Sequence, residues 1–328
     1  MMHAFQRFTA AGNTFVVMNT WEDPLSLSRE EMRTFVRAAC DYKTGIGADG
    51  VILINQPRRR AEQDHDRVEQ ASAPAVAKPS PVAHNVGSAS FRMDFYNPDG
   101  TTGMLCGNGA RCAVEAAREF ELVEGNETTF EVLGATNRAQ LLPNGDIRVY
   151  FQDPVDIRLN FEIPLEKEQH IHASYVDLGS QHIVVLFREL ASPDVLTIED
   201  FNIAHYGALL RWHPEFAPLG ANANFIEVRE DGEEKYLRIR TFERGVEGET
   251  LACGTGCMSS AIMARLTGLI PKTPVRLLTQ SGEFVTVNFR VNNHQVSNLS
   301  LEGSVVSGEA GTLRFDEATG TLHIEYLP

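Results

Sequence analysis

Two cysteine segments contain the residues best suited to chemistry. Cys106–Gly109 (CGNG) and Cys253–Gly256 (CGTG) each place a cysteine and two glycines before a run of helix-forming residues. The glycines let the backbone turn tightly, so each cysteine is expected at a helix N-terminus. The N–H groups that have no partner there favour negative charge and lower a thiol pKa. The matched segments therefore predict two reactive thiols.

Three kinds of chemistry suit such a pair. A redox pair usually has the spacing Cys-x-x-Cys, which is absent from this chain. A cysteine nucleophile needs a base; His182 is a candidate, although a lone histidine in a strand region is more often structural. Proton transfer needs one thiolate to take a proton from carbon and one thiol to return a proton to the opposite face, which inverts a stereocentre. Proton transfer explains best why two equivalent cysteines are present.

A zinc site is the metal-based alternative. Cys106 with Cys112, and Cys253 with Cys257, have the types of side chain that bind zinc. Their spacings are not those of a zinc finger in both segments, and Cys112 and Cys257 fall inside apolar helical runs. We therefore expect thiols without a metal, and free of disulfides in a reducing compartment.

Length and charge limit the other functions. The chain has 328 residues, which favours two domains, and its formal net charge of −15 disfavours nucleic acid and anionic membrane surfaces as partners. No apolar run reaches the length of a membrane span, and Met1–Phe15 lacks the apolar core of a signal peptide. These features predict a cytoplasmic protein.

The elements that must position the cysteines alternate between strands and helices. Ser26 or Ser28 can cap a helix that continues to about Cys40. Residues 57–90 change from a charged run to Ala, Pro, Ser and Val, which predicts a mobile, disordered surface insertion. A further capped helical segment is predicted near Thr197–Leu210. The pattern also predicts ten strands. They are Phe5–Asn19 (interrupted at Gly12-Asn13), Val51–Asn55, Phe91–Tyr96, Thr128–Leu133, Ala139–Leu142, Ile147–Phe151, Tyr175–Leu178, Ile183–Phe187, Asn224–Arg229 and Tyr236–Phe242.

The two halves of the chain resemble one another. Gly12–Val17 is similar to Gly179–Val184, and each stretch precedes a cysteine segment at a comparable spacing once residues 57–90 are set aside. A duplicated domain with one insertion fits this pattern. A pseudo-twofold arrangement would direct two helix N-termini and two cysteines at one shared cleft.

Several blocks along the chain resemble the diaminopimelate epimerase family. In order, they are Gly12–Phe15, Gly45–Gly50, Tyr96–Gly100, Cys106–Cys112, Asn222–Phe225, Glu243–Gly245 and Glu249–Gly256. The resemblance implies interconversion of L,L- and meso-diaminopimelate for lysine and peptidoglycan precursors, without pyridoxal phosphate, metal or any other cofactor, by a homodimer. It implies an α/β fold of the α+β type with two pseudo-symmetric domains, each a curled, mostly antiparallel sheet around a central helix. The expected domains are residues 1–153, joined by C-terminal strands at about 309–328, and residues 154–308.

The same resemblance assigns roles to individual residues. Cys106 and Cys253 are implied to be the acid and base. Groups around the reacting carboxylate are implied at Asn13 and at the backbone N–H groups of Gly107, Asn108, Gly254 and Thr255. The distal end of the substrate is assigned to Arg244 for the carboxylate, Glu243 for the ammonium, and Asn97, Asn222 and Ser180 for orientation.

Three departures from the family pattern affect these assignments. Gly179–His182 (GSQH) stands where the family has Gly-Asn-Pro-His, Glu247 lengthens a turn by one residue, and residues 57–90 are additional. A racemase of another amino acid, for example histidine, on the same fold is therefore an alternative, with Ser180 and Gln181 as the discriminating residues. A non-catalytic binding protein is a second alternative; loss of one cysteine or its glycine is expected of such a protein, and both are present here.

Overall fold

A computed structural model describes residues 2–57, 89–102, 105–165, 170–293 and 295–327. The chain forms two compact units, one built from Met1–Val149 with Gly303–Pro328 and the other from Tyr150–Glu302. Nearly all of the predicted mobile insertion at 57–90 lies outside the described residues. No helix in the described part of the chain is long and apolar enough to cross a membrane.

Strands dominate both units. In chain order they are β1 (His3–Ala10), β2 (Asn13–Asn19), β3 (Val51–Asn55), β4 (Phe91–Tyr96), β5 (Glu127–Val132), β6 (Ala135–Leu141), β7 (Ile147–Tyr150), β8 (Asp156–Pro164), β9 (His170–Asp177), β10 (Gln181–Leu186), β11 (Asn222–Asp231), β12 (Glu234–Glu243), β13 (Gly248–Thr250), β14 (Val275–Leu278), β15 (Phe284–Asn292), β16 (Gln295–Gly303), β17 (Val306–Asp316) and β18 (Thr321–Tyr326). The α-helices are α1 (Arg29–Cys40), α2 (Gly107–Glu119), α3 (Ile203–Arg211) and α4 (Gly254–Leu266).

The first unit is a mixed sheet in which antiparallel pairs predominate. Strand β2 pairs antiparallel with β1 and parallel with β3, and β4 pairs antiparallel with β3 and parallel with β5. Strand β6 pairs antiparallel with both β5 and β7. The C-terminal strands extend this sheet, because β17 pairs antiparallel with β1, and β18 pairs with β17.

The second unit repeats this order of pairings. Strand β10 pairs antiparallel with β9 and parallel with β11, and β12 pairs antiparallel with β11 and parallel with β14. Strand β15 pairs antiparallel with β14 and β16, and β8 is added to β9. Each step of the first unit, from β1 to β7, thus has a counterpart in the second. The predicted α+β class with two pseudo-symmetric halves is confirmed.

One central helix packs on each sheet. Helix α2 contacts β1 to β4, and α4 contacts β9 to β12 with β14 and β15. Small side chains on α2 let its backbone approach the sheet closely, since Ala110, Ala113, Ala116 and Ala117 are fully buried. The middle of α4 is buried on every side, from Gly256 to Ala264. Both helices are therefore held rigidly, and so are the cysteines that precede them.

The N-terminus of α1 follows the predicted pattern. Ser28 is its N-cap residue, and a capping box joins Ser28 to Glu31 through hydrogen bonds of 3.3 Å and 2.7 Å. The strand prediction was incomplete near the C-terminus, where β14 to β18 were not predicted from periodicity.

Candidate active site

Cys106 is the N-cap residue of α2. Its Sγ accepts a hydrogen bond from the N–H of Gly109 at 3.4 Å, and its carbonyl accepts one from Ala110 at 2.8 Å. The first N–H groups of a helix, here those of Gly107 and Asn108, have no acceptor within the helix. The thiol is partly exposed, whereas Gly107 and Asn108 are buried. The helix start therefore presents a thiol and backbone donors together.

A chain of hydrogen bonds connects two of the predicted binding residues beside Cys106. Asn108 Nδ2 donates to Asn13 Oδ1 at 2.7 Å, and buried Arg111 donates to Asn108 Oδ1 at 2.7 Å. A guanidinium can only donate, so this contact fixes the orientation of the Asn108 amide. Asn13 Nδ2 then donates to Asp49 Oδ2 at 3.4 Å, and the Thr14 N–H donates to the same oxygen at 2.9 Å. Each amide nitrogen carries a second hydrogen that can donate to an anionic ligand.

Asn97 lies in the turn that follows β4. Its Nδ2 donates to Thr101 Oγ1 at 3.0 Å, and its backbone N–H donates to the carbonyl of Thr101 at 2.9 Å. The described contacts of Asn97 fix this turn and do not include Asn13 or Asn108.

Cys253 is the N-cap residue of α4, which confirms that both cysteine segments begin helices. Its carbonyl accepts from the N–H of Cys257 at 2.9 Å, and Thr255 Oγ1 lies 3.5 Å from its Sγ. The Cys253 residue is only 7% exposed. This thiol is therefore more sheltered from water than that of Cys106.

Burial and a neighbouring carboxylate both favour the protonated form of the Cys253 thiol. Burial raises the pKa of the Cys253 thiol well above its usual value, and the negative charge of Glu243 raises it further. The expected low pKa is thus wrong for Cys253, because desolvation outweighs the helix N-terminus. Burial also raises the pKa of Glu243, whose carboxylate accepts from Thr250 Oγ1 at 2.9 Å. The carboxylate assigned by resemblance to the distal ammonium is thus electrostatically coupled to the thiol.

Asn224 supports the start of α4. A Cβ atom on Gly256 would lie 2.3 Å from Asn224 Oδ1, so this close approach requires glycine. Asn224 is fully buried. Its Nδ2 donates to the Ile183 carbonyl at 2.9 Å and to His182 Nδ1 at 3.2 Å, and Thr241 Oγ1 donates to its Oδ1 at 3.0 Å. The helix start and the strand that carries His182 are therefore fixed to one another.

Ser180 and Asn222 are joined where β10 and β11 begin. Asn222 Nδ2 donates to Ser180 Oγ at 3.1 Å and to the Gln181 carbonyl at 3.0 Å. The backbone N–H of Arg244 donates to Asn222 Oδ1 at 2.8 Å. Ser180 Oγ also lies 3.3 Å from Nε2 of His182. Three of the predicted binding residues thus belong to one hydrogen-bonded group.

The Arg244 guanidinium is held by a residue outside the predicted set. Its Nη1 donates to Gln181 Oε1 at 2.8 Å, and Gln181 Nε2 donates to Asp177 Oδ2 at 3.3 Å. Burial lowers the pKa of Arg244, and the nearby cation of Arg211 adds to this effect. A partly desolvated cation favours an anionic ligand.

The structure brings the predicted residues together within each unit. In the first unit Asn13 and Asn108 meet beside Cys106. In the second, Ser180, Asn222 and Arg244 form one group, and Glu243, Thr255 and Cys253 form another. Sequence reasoning missed the supporting residues, although two of them, Asp49 and Asn224, lie inside blocks that resemble the family. In the part of the chain that the structure describes, no group of three or more His, Cys, Asp or Glu side chains is placed to hold a metal.

Comparison with known proteins matches the chain to one family over most of its length. The model of the diaminopimelate epimerase family matches residues 7–156 and 174–306. A diaminopimelate epimerase from Aquifex aeolicus is 34% identical over 94% of this chain and 97% of that relative. One from Chlorobaculum tepidum is 33% identical over 93% of this chain and 99% of that relative.

Solved structures with low sequence identity share the fold. A phenazine biosynthesis protein of the PhzF family from Bacillus anthracis matches with a TM-score of 0.64 at 17% identity, covering 96% of this chain and all of that one. A hydroxyproline epimerase from Agrobacterium vitis matches with a TM-score of 0.63 at 14% identity, covering 95% and 92% of the two chains. With the family model and these relatives in agreement, the chain belongs to the diaminopimelate epimerase family.

Proposed function

We propose that this chain is an isomerase that interconverts L,L- and meso-diaminopimelate without pyridoxal phosphate or a metal. Its relatives at 33% and 34% identity, matched over nearly their full length, are named diaminopimelate epimerases. The observation that supports the proposal most strongly is that the same cysteine arrangement occurs in both units. Cys106 and Cys253 occupy the same N-cap position of the central helix in each unit.

The proposed reaction uses one cysteine as base and the other as acid. A thiolate removes the proton from Cα, and a thiol on the opposite face returns a proton, so the configuration at Cα inverts and no net proton is consumed. The electron pair left on carbon spreads into the adjacent carboxylate. The N–H groups of Gly107, Asn108, Gly254 and Thr255 are proposed to hold that charge, as donors in an oxyanion hole do.

Glu243 influences the Cys253 thiol through its charge. Burial raises the pKa of both groups, and the negative charge of Glu243 raises the pKa of Cys253 further, so the pair holds one negative charge more easily than two. We infer that Cys253 donates while Glu243 is ionised, and that Glu243 holds the proton when Cys253 is the base. The enzyme can then run in both directions.

The group of Ser180, Asn222 and Arg244 is proposed to bind the distal carboxylate, with Asn97 helping to orient that end. Arg244 supplies a fixed fork suited to two hydrogen bonds with a carboxylate. A substrate without that carboxylate leaves the half-buried guanidinium without an anion, which costs several kcal/mol. Lysine, ornithine and histidine are therefore expected to react at least about a hundredfold more slowly by kcat/KM.

The test is incubation of the purified protein with L,L-diaminopimelate in heavy water. The proposal predicts that deuterium enters at Cα while the meso isomer appears, with no dependence on added pyridoxal phosphate and no loss with a chelator. Comparison of kcat/KM with histidine separates this function from a racemase of another amino acid. Equal values for histidine and diaminopimelate would reject the proposed substrate.

A homodimer and a cytoplasmic location also belong to this proposal. Their support is the family resemblance, and light scattering after size-exclusion chromatography measures the first of them. A mass of about one chain, 36.3 kDa, at assay concentrations would reject the dimer.

A further inference from the structure

By resemblance to the family pattern, Ser180 stands where an asparagine is expected, and its hydroxyl has two hydrogen-bonding neighbours. A hydroxyl has one hydrogen to donate and two lone pairs to accept with. The direction of each neighbouring hydrogen bond therefore decides what the serine can offer to a ligand. Two neighbours, Asn222 and His182, contact the hydroxyl directly, and their own hydrogen bonds fix those directions.

The Asn222 amide can face Ser180 only as a donor. Its Oδ1 accepts the backbone N–H of Arg244 at 2.8 Å, and its Nδ2 donates to the carbonyl of Gln181 at 3.0 Å. A flipped amide would place oxygen against a carbonyl oxygen and nitrogen against an N–H. Asn222 Nδ2 therefore donates to Ser180 Oγ across their 3.1 Å separation.

The Asn224 amide fixes the tautomer of His182 in the same way. Its Nδ2 lies 2.9 Å from the carbonyl of Ile183 and 3.2 Å from His182 Nδ1, and its Oδ1 accepts from Thr241. Nδ1 of His182 must therefore accept. In a neutral imidazole the proton then resides on Nε2, and Nε2 lies 3.3 Å from Ser180 Oγ. His182 is fully buried, so water does not compete for either ring nitrogen.

We propose that His182 is a positioning residue: as the neutral tautomer protonated at Nε2, it acts with Asn222 to fill both lone pairs of Ser180 Oγ, so that the Ser180 hydroxyl can only donate. A ligand group at Ser180 must then accept a hydrogen bond, as a carboxylate does, and an ammonium group is rejected. The identity of the ligand in this inference rests on the proposed function. The tautomer of His182 does not depend on it. Ser180 is partly exposed and so can be reached by a ligand.

The tautomer is tested by nitrogen-15 NMR of protein labelled at histidine, with the His182→Gln variant used to assign the signals. The inference predicts a pyrrole-like shift for Nε2 and a pyridine-like shift for Nδ1, unchanged between pH 5 and 8. A pyridine-like Nε2, or an imidazolium signal within that range, would overturn it. This measurement needs no substrate, so it stands even if diaminopimelate is not turned over.

The donor role is tested by steady-state kinetics on four variants. Ser180→Ala removes the donor, and His182→Leu removes the bond that orients it. Each is expected to raise KM for diaminopimelate about tenfold or more with a smaller change in kcat, since a hydrogen bond to a charged group is lost. His182→Gln, which keeps an N–H near the position of Nε2, should retain most of the affinity.

The double variant His182→Leu with Ser180→Ala distinguishes orientation from simple loss of packing. If His182 acts through Ser180, the double variant should have nearly the KM of Ser180→Ala alone, because the two changes remove one interaction. Multiplication of the two effects on KM would overturn the positioning role. So would an unchanged KM in Ser180→Ala.

Discussion

Arg211 and Glu247 form an ion pair in which Arg211 Nη2 and Glu247 Oε1 lie 3.0 Å apart, and this pair fastens the turn that carries Arg244. The same Glu247 oxygen accepts the N–H of Gly245 at 3.0 Å, and the Glu247 N–H donates to the carbonyl of Glu243 at 2.9 Å. Glu247, the extra residue, therefore stabilises this turn beside the proposed binding group that includes Arg244.

Replacement of Glu247 by alanine is expected to lower the free energy of unfolding by about 2 kcal/mol, because a buried cation loses its anion while Glu247 itself is partly solvated. The Arg211 side chain is 5% exposed and that of Glu247 is 41% exposed. Urea denaturation measures the change, and KM should also rise because Arg244 is less well fixed. Glu233→Ala, at an exposed position of the same unit, is the control; equal losses in the two variants would contradict the account.

The two cysteine segments differ in how they tolerate a methyl group at the second glycine. A Cβ atom on Gly256 would meet Asn224 Oδ1 at 2.3 Å, whereas on Gly109 its nearest contacts are at 3.5 Å. Gly256→Ala should therefore destabilise the second unit and depress activity. Gly109→Ala should keep wild-type stability or gain about 0.5–1 kcal/mol from reduced chain entropy. Thermal unfolding of the pair decides this, and similar melting temperatures would be inconsistent with the close packing on Asn224.

Because His182 is buried as a neutral side chain, the free energy of unfolding depends on pH. Burial lowers the pKa of His182 to about 3 from its usual 6.5. Between these pH values the unfolded chain binds a proton at His182 that the folded chain does not. The contribution of His182 to the free energy of unfolding is therefore fully present above pH 6.5 and is lost as pH falls towards 3. The loss amounts to as much as roughly 1.4 kcal/mol per pH unit.

The measurement is the free energy of unfolding in urea at pH 7.5, 5.5 and 4.5. The difference between wild type and His182→Gln should shrink as pH falls, whereas replacement of the exposed His323 by Gln should leave the wild-type profile unchanged. A difference that stays constant with pH would show that His182 takes up its proton as readily in the folded protein as in the unfolded chain, which would contradict the lowered pKa.

Much of the local structure around the site was predictable because its signals are local. Ser28 with Glu31 marks the start of α1, and the cysteine segments mark the starts of α2 and α4. Strand β17 was not predictable in this way. An added Cβ on its Gly311 would come within 2.4 Å of the Glu325 carbonyl oxygen in β18 and 2.9 Å of the Phe5 ring in β1, so part of the reason for that glycine lies about three hundred residues away along the chain.

The prediction of a low pKa for the Cys253 thiol was wrong for a similar physical reason. A helix N-terminus can be predicted from neighbouring residues, but desolvation and the charge of Glu243 depend on the folded sheet. The same holds for Gln181, a departure from the family pattern whose contact with Arg244 joins residues from β10 and the turn after β12. Local sequence indicates candidate reactive residues, and tertiary packing decides their pKa and orientation.

Burial should also separate the two thiols in their reaction with iodoacetamide at pH 7. Cys253 is sheltered and its pKa is raised, so its thiolate is scarce, whereas Cys106 is partly exposed. Peptide mass spectrometry after short exposure is expected to find Cys106 modified at least about tenfold faster, since each unit of pKa changes the thiolate fraction tenfold. Faster labelling of Cys253 would refute the assignment of its protonated state.

The central claim is that Cys106 and Cys253 together invert one carbon centre, and alanine variants of each test it most directly. Conversion of L,L- to meso-diaminopimelate should fall by at least about a thousandfold in Cys106→Ala and in Cys253→Ala, because each variant lacks one partner of the proton transfer. Cys112→Ala and Cys257→Ala, which alter buried cysteines within the same two helices, are the matched controls and should retain most of the activity. Inversion at the wild-type rate by either of the first two variants would contradict the two-cysteine mechanism.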